Sequence, residues 1–286
     1  MICACQMMGQ HKIGVRAGLN RAIIQADNLE SGENFKFRGG FHFGVNYTYK
    51  FSPVFGLRGE LLFTQRGSSF TYSDSDSYRV IRRLSFGEGE SPFLLDRGET
   101  DIELELSNGY LSIPITAQFD VSDKWELFAG ASIDILLNPT GRGTLDYTSN
   151  ITPDDIFFLK SLDHSYRTDS LGQINDLLFA PPETTAIIVN GQRSDIVRVE
   201  TAYYNLQPGD KDGTKFNLFD AHVILGANYF INNGFYVGIR GELGLFDLTN
   251  DGADFTLKDL DENDRYILRD DRDLSRNISV SIGFRF

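Results

Sequence analysis

Four ionisable residues in two copies of one motif are the strongest candidates for chemistry in this chain. Residues 44–61 read GVNYTYKFSPVFGLRGEL and residues 226–243 read GANYFINNGFYVGIRGEL. Each copy closes on Arg-Gly-Glu, placing Arg58 and Glu60 in the first and Arg240 and Glu242 in the second. Two residues apart, arginine and glutamate share one face of a β-strand. Arg16, His42, Asp134, Asp220, His222 and Arg285 lie on similar alternating segments and are candidates to join them. Inside a closed wall such residues form an ion-pair network. It acts either as a gate that opens a water path or as a plug, because an eight-stranded interior is just wide enough to be filled by side chains. The plug is the preferred reading, since burial demands opposite-sign pairing in any case.

Other chemistry finds less support. His42 and His222 share the polar face with Ser112 and Ser132, but no Gly-x-Ser-x-Gly elbow, His-Glu-x-x-His or Cys/His cluster accompanies them. No catalytic residue, metal ligand or cofactor is therefore assigned, and the chain is read as non-enzymatic, with an outer-membrane hydrolase the remoter alternative. Residues 247–273 hold ten acids against four bases. Clustered carboxylates can take Ca²⁺, and Asp210-Lys211-Asp212-Gly213 resembles half of a calcium loop, but the distal bidentate glutamate is missing. A solvated acidic loop is preferred.

The elements that must position these residues are strands. Eight segments alternate with period two: 13–24, 41–51, 55–66, 110–119, 125–137, 219–231, 235–246 and 278–286. In the second, Phe41, Phe43, Val45, Tyr47, Tyr49 and Phe51 oppose His42, Gly44, Asn46, Thr48 and Lys50. Pro114 cannot donate to a ladder, so a local irregularity is expected there. Short turns at 52–54, 120–124 and 232–234 alternate with long connections at about 25–40, 67–109, 138–218 and 247–274. All short turns then share one rim and all long loops the other, the plan of an up-and-down transmembrane barrel. Within the longest connection, Thr152-Pro153-Asp154-Asp155 reads as a helix start, with a short helix following through Phe157, Phe158 and Leu162. An apolar patch at Ile174–Phe179 and β-rich runs at Ala186–Val189 and Ile196–Tyr204 are read as further structure beyond the membrane.

Composition agrees. The chain has 286 residues, rich in Gly and Phe, and a formal charge of −13, which disfavours nucleic acid. No run of 18 apolar residues exists, so a membrane-spanning helix is excluded while barrel strands are not. Residues 1–10, MICACQMMGQ, read as the remnant of a signal peptide, with lipidation of Cys5 a variant of that reading. Residues 11–286 then form one barrel domain carrying the long insertion at about 138–218. A soluble lipocalin-like barrel would bury the apolar face instead. Against it stand the Gly, Ser and Asn content of the polar face and the aromatics Phe41, Tyr49, Phe51, Phe55, Trp125, Tyr229 and Phe235 near strand ends, where interfacial girdles sit.

The succession IGVRAGLN, GFHFGVNYTYKFSPVFGLRGELLFTQRG, YLSIPITAQF, WELFAGASIDILL, GANYFINNGFYVGIRGELGL and ISVSIGFRF resembles the PorT-like outer-membrane β-barrel family of diderm bacteria. The resemblance covers all eight strands and none of the long loops. It implies an all-β, eight-stranded antiparallel barrel, integral to the outer membrane, with long extracellular loops. Phe286 resembles the carboxy-terminal aromatic by which such barrels are recognised for insertion, which implies the barrel assembly machinery and outer-membrane lipids as partners. Some family members serve secretion. The expected function is a surface scaffold or binding protein acting through its loops, with an unidentified extracellular ligand; the alternative is a small pore or secretion-accessory barrel. The structural network is expected to comprise Arg16, Arg58, Glu60, Asp134, Arg240, Glu242 and Arg285.

Overall fold

The structure, a computed structural model, describes residues 10–165, 184–201, 216–250, 252 and 254–286. The first strands are β1 (His11–Ala26), β2 (Glu33–Lys50), β3 (Phe55–Arg66), β4 (Ser68–Arg82), β5 (Phe93–Asp120) and β6 (Trp125–Ser149). Short strands follow: β7 (Phe157–Ser165), β8 (Thr184–Val189), β9 (Gln192–Val197) and β10 (Val199–Thr201). The chain closes with β11 (Phe219–Phe230), β12 (Phe235–Gly244), β13 (Phe255–Leu260), β14 (Tyr266–Leu268) and β15 (Asp273–Arg285). Among the described residues no helix is long and apolar enough to cross a membrane.

Eight strands form a closed ring in the order β1, β2, β3, β5, β6, β11, β12, β15, every neighbour antiparallel. First and last strands close it, from Gly14↔Arg285 to Ala26↔Asp273. Closure leaves no unpaired edge in the wall, the condition for a sheet to stand in lipid. Along each strand one set of side chains is buried inside and the other is exposed outside: on β1, Arg16 and Asn20 point in while Ile13, Val15 and Leu19 point out.

The three short turns share one device. Ser52 Oγ accepts hydrogen bonds from the amides of Val54 and Phe55, Ser122 Oγ from those of Lys124 and Trp125, and Asn232 Oδ1 from those of Gly234 and Phe235. A small polar side chain thus mimics a turn of backbone at the same rim three times.

The opposite rim differs from the loops expected there. Residues 25–40 are mostly strand, and residues 67–109 contain β4 and the upper half of β5. Gly67 lets β4 continue the line of β3: a Cβ there would lie 2.0 Å from the carbonyl oxygen of Leu106. β4 pairs with β5 as far as Arg82↔Phe93, and β5 pairs with β6 as far as Gly98↔Ser149. β7 adds to the upper part of β6, and β10 adds in parallel to β7. The hairpin β8–β9 packs beside them, and the hairpin β13–β14 covers β4 through Tyr266, whose hydroxyl accepts from the Val80 amide. The result is a crown with its own apolar core of Ile81, Leu104, Leu106, Leu145, Tyr147, Phe158, Leu162, Ile187 and Ile196.

Two local expectations need correction or refinement. The helix from Thr152 does not form. Its cap-like residues make a single turn, with the Thr152 carbonyl accepting from Asp155 and Ile156, after which Phe157–Ser165 is strand paired to β6. The ladder offered by Thr140–Thr148 outcompetes a helix whose apolar residues Phe157 and Phe158 are adjacent rather than helically spaced. At Pro114 the ladder toward β3 lapses between Gly59↔Ile115 and Leu62↔Ser112, while the β6 side stays in register at Ser132. The apolar patch at 174–179, the half-loop at 210–213, Tyr204 and Cys5 lie outside the described residues.

Candidate functional site

Three layers of charge fill the barrel. Nearest the short-turn rim, Lys50 donates to both oxygens of Asp120 at 2.7 Å. Above it, Glu126 accepts from Arg58 at 2.8 Å, from Asn228 at 2.8 Å and from Arg285 at 3.3 Å, and Arg285 lies over the Phe230 ring at 4.1 Å. In the third layer Glu60 accepts from Arg16 at 3.1 Å and from Arg240. Arg240 also reaches Glu242 at 3.5 Å, which takes a further 2.8 Å bond from Asn277. Asp134 is bound by Arg66 at 2.5 Å and faces His222 Nδ1 at 2.7 Å, with Asp220 3.2 Å from Nε2.

All seven residues expected to form the network, Arg16, Arg58, Glu60, Asp134, Arg240, Glu242 and Arg285, lie inside and have ionic partners. The pairing differs from the motif, however. Arg58 does not meet Glu60; each finds partners on other strands. In the second copy Arg240 does reach Glu242, but its shorter contact is with Glu60 on another strand of the wall. Glu126 and Arg66, central to two layers, were missed as network members, although both occupy the polar phase of their strands. Six lumen cations, Arg16, Lys50, Arg58, Arg66, Arg240 and Arg285, face six carboxylates, Glu60, Asp120, Glu126, Asp134, Asp220 and Glu242, and Lys12 lies at the rim beside Lys50 and Asp120. Beside this network, a cavity lined by Asn20, His42, Thr64 and Ser112 among others has a volume of about 10 Å³, room for about one water.

Asp134, Asp220 and His222 also carry ligand atoms within 4.8 Å of one another, a spacing that suits a metal ion. The cationic role there is taken by Arg66, whose guanidinium contacts both Asp134 and His222. All three are fully enclosed, which leaves no approach for a substrate. His42 hydrogen-bonds Asn20 at 2.8 Å, and Ser132 is 3.5 Å from Asp134, so neither serine–histidine pair forms.

On the crown, a groove of about 470 Å³ runs between Asp146, Thr148, Phe157, Leu159, Thr184 and Arg198. Elsewhere in the crown, Arg269 holds Glu33 at 2.7 Å and Asp271 at 2.5 Å. Asp254 is buried beside them. Desolvation, together with the neighbouring carboxylates Asp271 and Asp273, pushes its carboxyl up to about 9. Phe286 follows β15 at the short-turn rim, its amide bonded to the Ile13 carbonyl at 2.8 Å and its ring edge-on to Phe284.

The profile of the outer membrane protein beta-barrel domain matches residues 6–250. The chain belongs to this family. As an outer membrane β-barrel it is an integral protein of the bacterial outer membrane, its short turns periplasmic and its crown extracellular. Solved structures similar to it include Ail of Yersinia pestis, with 11% identity, 97% of this chain and 99% of that chain covered, and a TM-score of 0.36. Neisserial surface protein A matches at 10% identity, with 96% and 95% covered and a TM-score of 0.30. OprG of Pseudomonas aeruginosa matches at 9% identity, with 97% and 96% covered and a TM-score of 0.27. No curated protein sequence matches the chain.

Proposed function

We propose that this outer membrane β-barrel is a non-enzymatic surface scaffold or binding protein that works through its extracellular crown. The observation that carries this reading is the apolar core formed by β4–β9 outside the membrane wall. Joining neighbouring strands requires only a short turn, as the periplasmic rim demonstrates; strands that continue into a second packed body offer a rigid surface on which recognition residues can be held. The lumen supports the same reading, because its buried cations and carboxylates pair with one another from strand to strand. The alternative is a small pore or PorT-like secretion-accessory barrel, which requires that network to open. An outer-membrane lipid hydrolase is least supported. Assembly through Phe286 and an extracellular ligand or secretion partner belong to the proposal.

Two measurements on the full chain test it. In planar bilayers no stable conductance steps are expected; reproducible steps would favour the pore. Cells displaying the chain should adhere to at least one of a panel of immobilised glycans and matrix proteins. Replacing residues 68–107 and 138–218 by short turns should abolish adhesion while heat-dependent gel mobility persists. Adhesion that survives the replacement, or never occurs, would overturn the crown's role.

A further inference from the structure

The outward face of the wall at β1 and β15 is apolar from the periplasmic rim upward: Ile13, Val15, Ala17 and Leu19 on one strand, Phe284, Ile282, Val280 and Ile278 on the other. Each run ends on an arginine in the same outward phase, Arg21 and Arg276, and both are exposed. The register pairs Arg21 with Ile278 and Arg276 with Ile23. The two side chains are therefore diagonal neighbours, roughly 7–8 Å apart at their bases. Among the described residues neither guanidinium has an ion-pair or hydrogen-bond partner.

Their height is fixed by what lies above and below. Leu19, two residues lower, is 72% exposed, whereas Ile23, two residues higher and directly opposite Arg276, is 4% exposed. Arg21 also stands ten residues above His11 along a tilted strand, which is roughly 25 Å of vertical rise, the height of the apolar band of such barrels. Unpaired cations at the top of a lipid-facing wall reach for headgroup anions, since hydrocarbon offers them none. On its other flank Arg21 faces Gly39, where a Cβ would meet nothing within 4 Å, so an open notch adjoins the pair. Leu19, Ile278 and Leu243 supply an apolar seat directly beneath or beside the guanidinium groups.

We propose that Arg21 and Arg276 form a binding site for a phosphate-bearing glycolipid of the outer leaflet. The guanidinium pair holds its phosphates, the Gly39 notch admits its headgroup, and its acyl chains lie along the aliphatic wall below. Two adjacent forks suit two phosphates or one shared between them, because each arginine can bond phosphate oxygens in a bidentate manner. The site depends on the outer-membrane location of the chain and is independent of what the crown binds.

The test uses the full chain in phosphatidylcholine nanodiscs doped with diphosphoryl lipid A, with bound lipid counted by native mass spectrometry. The wild-type chain should retain the diphosphoryl lipid in preference to its dephosphorylated form, less so as salt is raised. The double substitution Arg21→Gln/Arg276→Gln should weaken retention roughly 30-fold, at about a kcal/mol for each basic residue at a lipid surface. Arg142→Gln, on the exposed side of the crown, should change nothing. Heat-dependent gel mobility reports that each variant is folded. Equal retention by the folded double variant, or equal retention of the dephosphorylated lipid, would overturn the proposal. Full displacement of the lipid by millimolar inorganic phosphate would assign the arginines to free phosphate and overturn the lipid site.

Discussion

The lumen and the crown are buried interiors of one chain built from opposite materials, and the strand β5 passes through both. In its lower half the outward residues are Ile113, Ile115, Ala117 and Phe119, and the inward ones Ser112, Thr116 and Gln118. In its upper half the outward residues are Arg97, Glu99, Asp101, Glu103 and Glu105, and the inward ones include Leu104 and Leu106 alongside the buried polar Asp96, Thr100 and Asn108. The alternation never changes phase; only its polarity inverts, close to the irregularity at Gly109 and Tyr110 where β6 contributes its extra residue. The solvent outside decides the material inside. Where lipid covers the wall the apolar residues must face out, and the interior is filled by long ionic side chains. Where water covers it, the ordinary rule returns.

The largest test of this contrast is Glu60→Ala. It removes the only carboxylate paired with the buried Arg16 among the described residues and leaves the buried Arg240 with Glu242 alone. Breaking a buried pair of this kind costs about 3–5 kcal/mol. Reversible urea unfolding in lipid vesicles should show that loss for the whole barrel, and a change under about 1 kcal/mol would mean the network contributes specificity rather than stability. Because layers share partners, Glu60→Ala combined with Arg240→Leu should cost less than Glu60→Ala alone.

Phe158→Ala probes the other interior. The ring is 3% exposed and stacks on Tyr147 with centroids 5.1 Å apart. Removing a buried phenylalanine costs about 3–5 kcal/mol where the site cannot collapse, with the cost confined here to the crown. Limited proteolysis should therefore nick the crown of the variant at protease levels the wild type resists, while the membrane wall keeps its heat-dependent gel mobility. Joint loss of both would mean the two interiors unfold as one unit.

The eight-stranded wall was legible because its alternation is written in strongly contrasting residues, as in Phe41 to Phe51. Of the crown, the β-rich run at Ala186–Val189 was legible and lies in β8, but the upper half of β5 was not, although Asp101-Ile102-Glu103-Leu104-Glu105-Leu106 alternates as strictly, because its outward carboxylates made the segment read as a loop. The lumen residues were visible from their phase, but their partners were not. Arg58 and Glu60 are neighbours in sequence, and only the curvature and register of the closed wall send one to Glu126 and the other to Arg16 and Arg240. The cap-like Thr152-Pro153-Asp154-Asp155 failed as a helix signal because local capping is worth less than a full ladder with β6.

The smallest effect concerns a place where the crown imitates the lumen and fails to balance its charge. Around Arg269 gather Glu33, Asp271 and the buried Asp254, more carboxylates than one guanidinium can neutralise. The guanidinium is held above its ordinary range because these anions outweigh the burial that would lower it. Asp254, desolvated and beside Asp271 and Asp273, keeps its proton up to about 9, against an ordinary value of 3.8. The closed arrangement therefore binds a proton that the opened loop releases. Its contribution is complete below about pH 4 and is lost progressively as pH rises toward 9. Protection of the last extracellular loop from proteolysis or amide exchange should fall across that window while the wall is unaffected. Asp254→Asn, which cannot ionise, should flatten the dependence and leave the loop protected at high pH. A wild-type loop equally protected at pH 5 and pH 9 would mean the carboxylates are neutralised by something other than a shared proton.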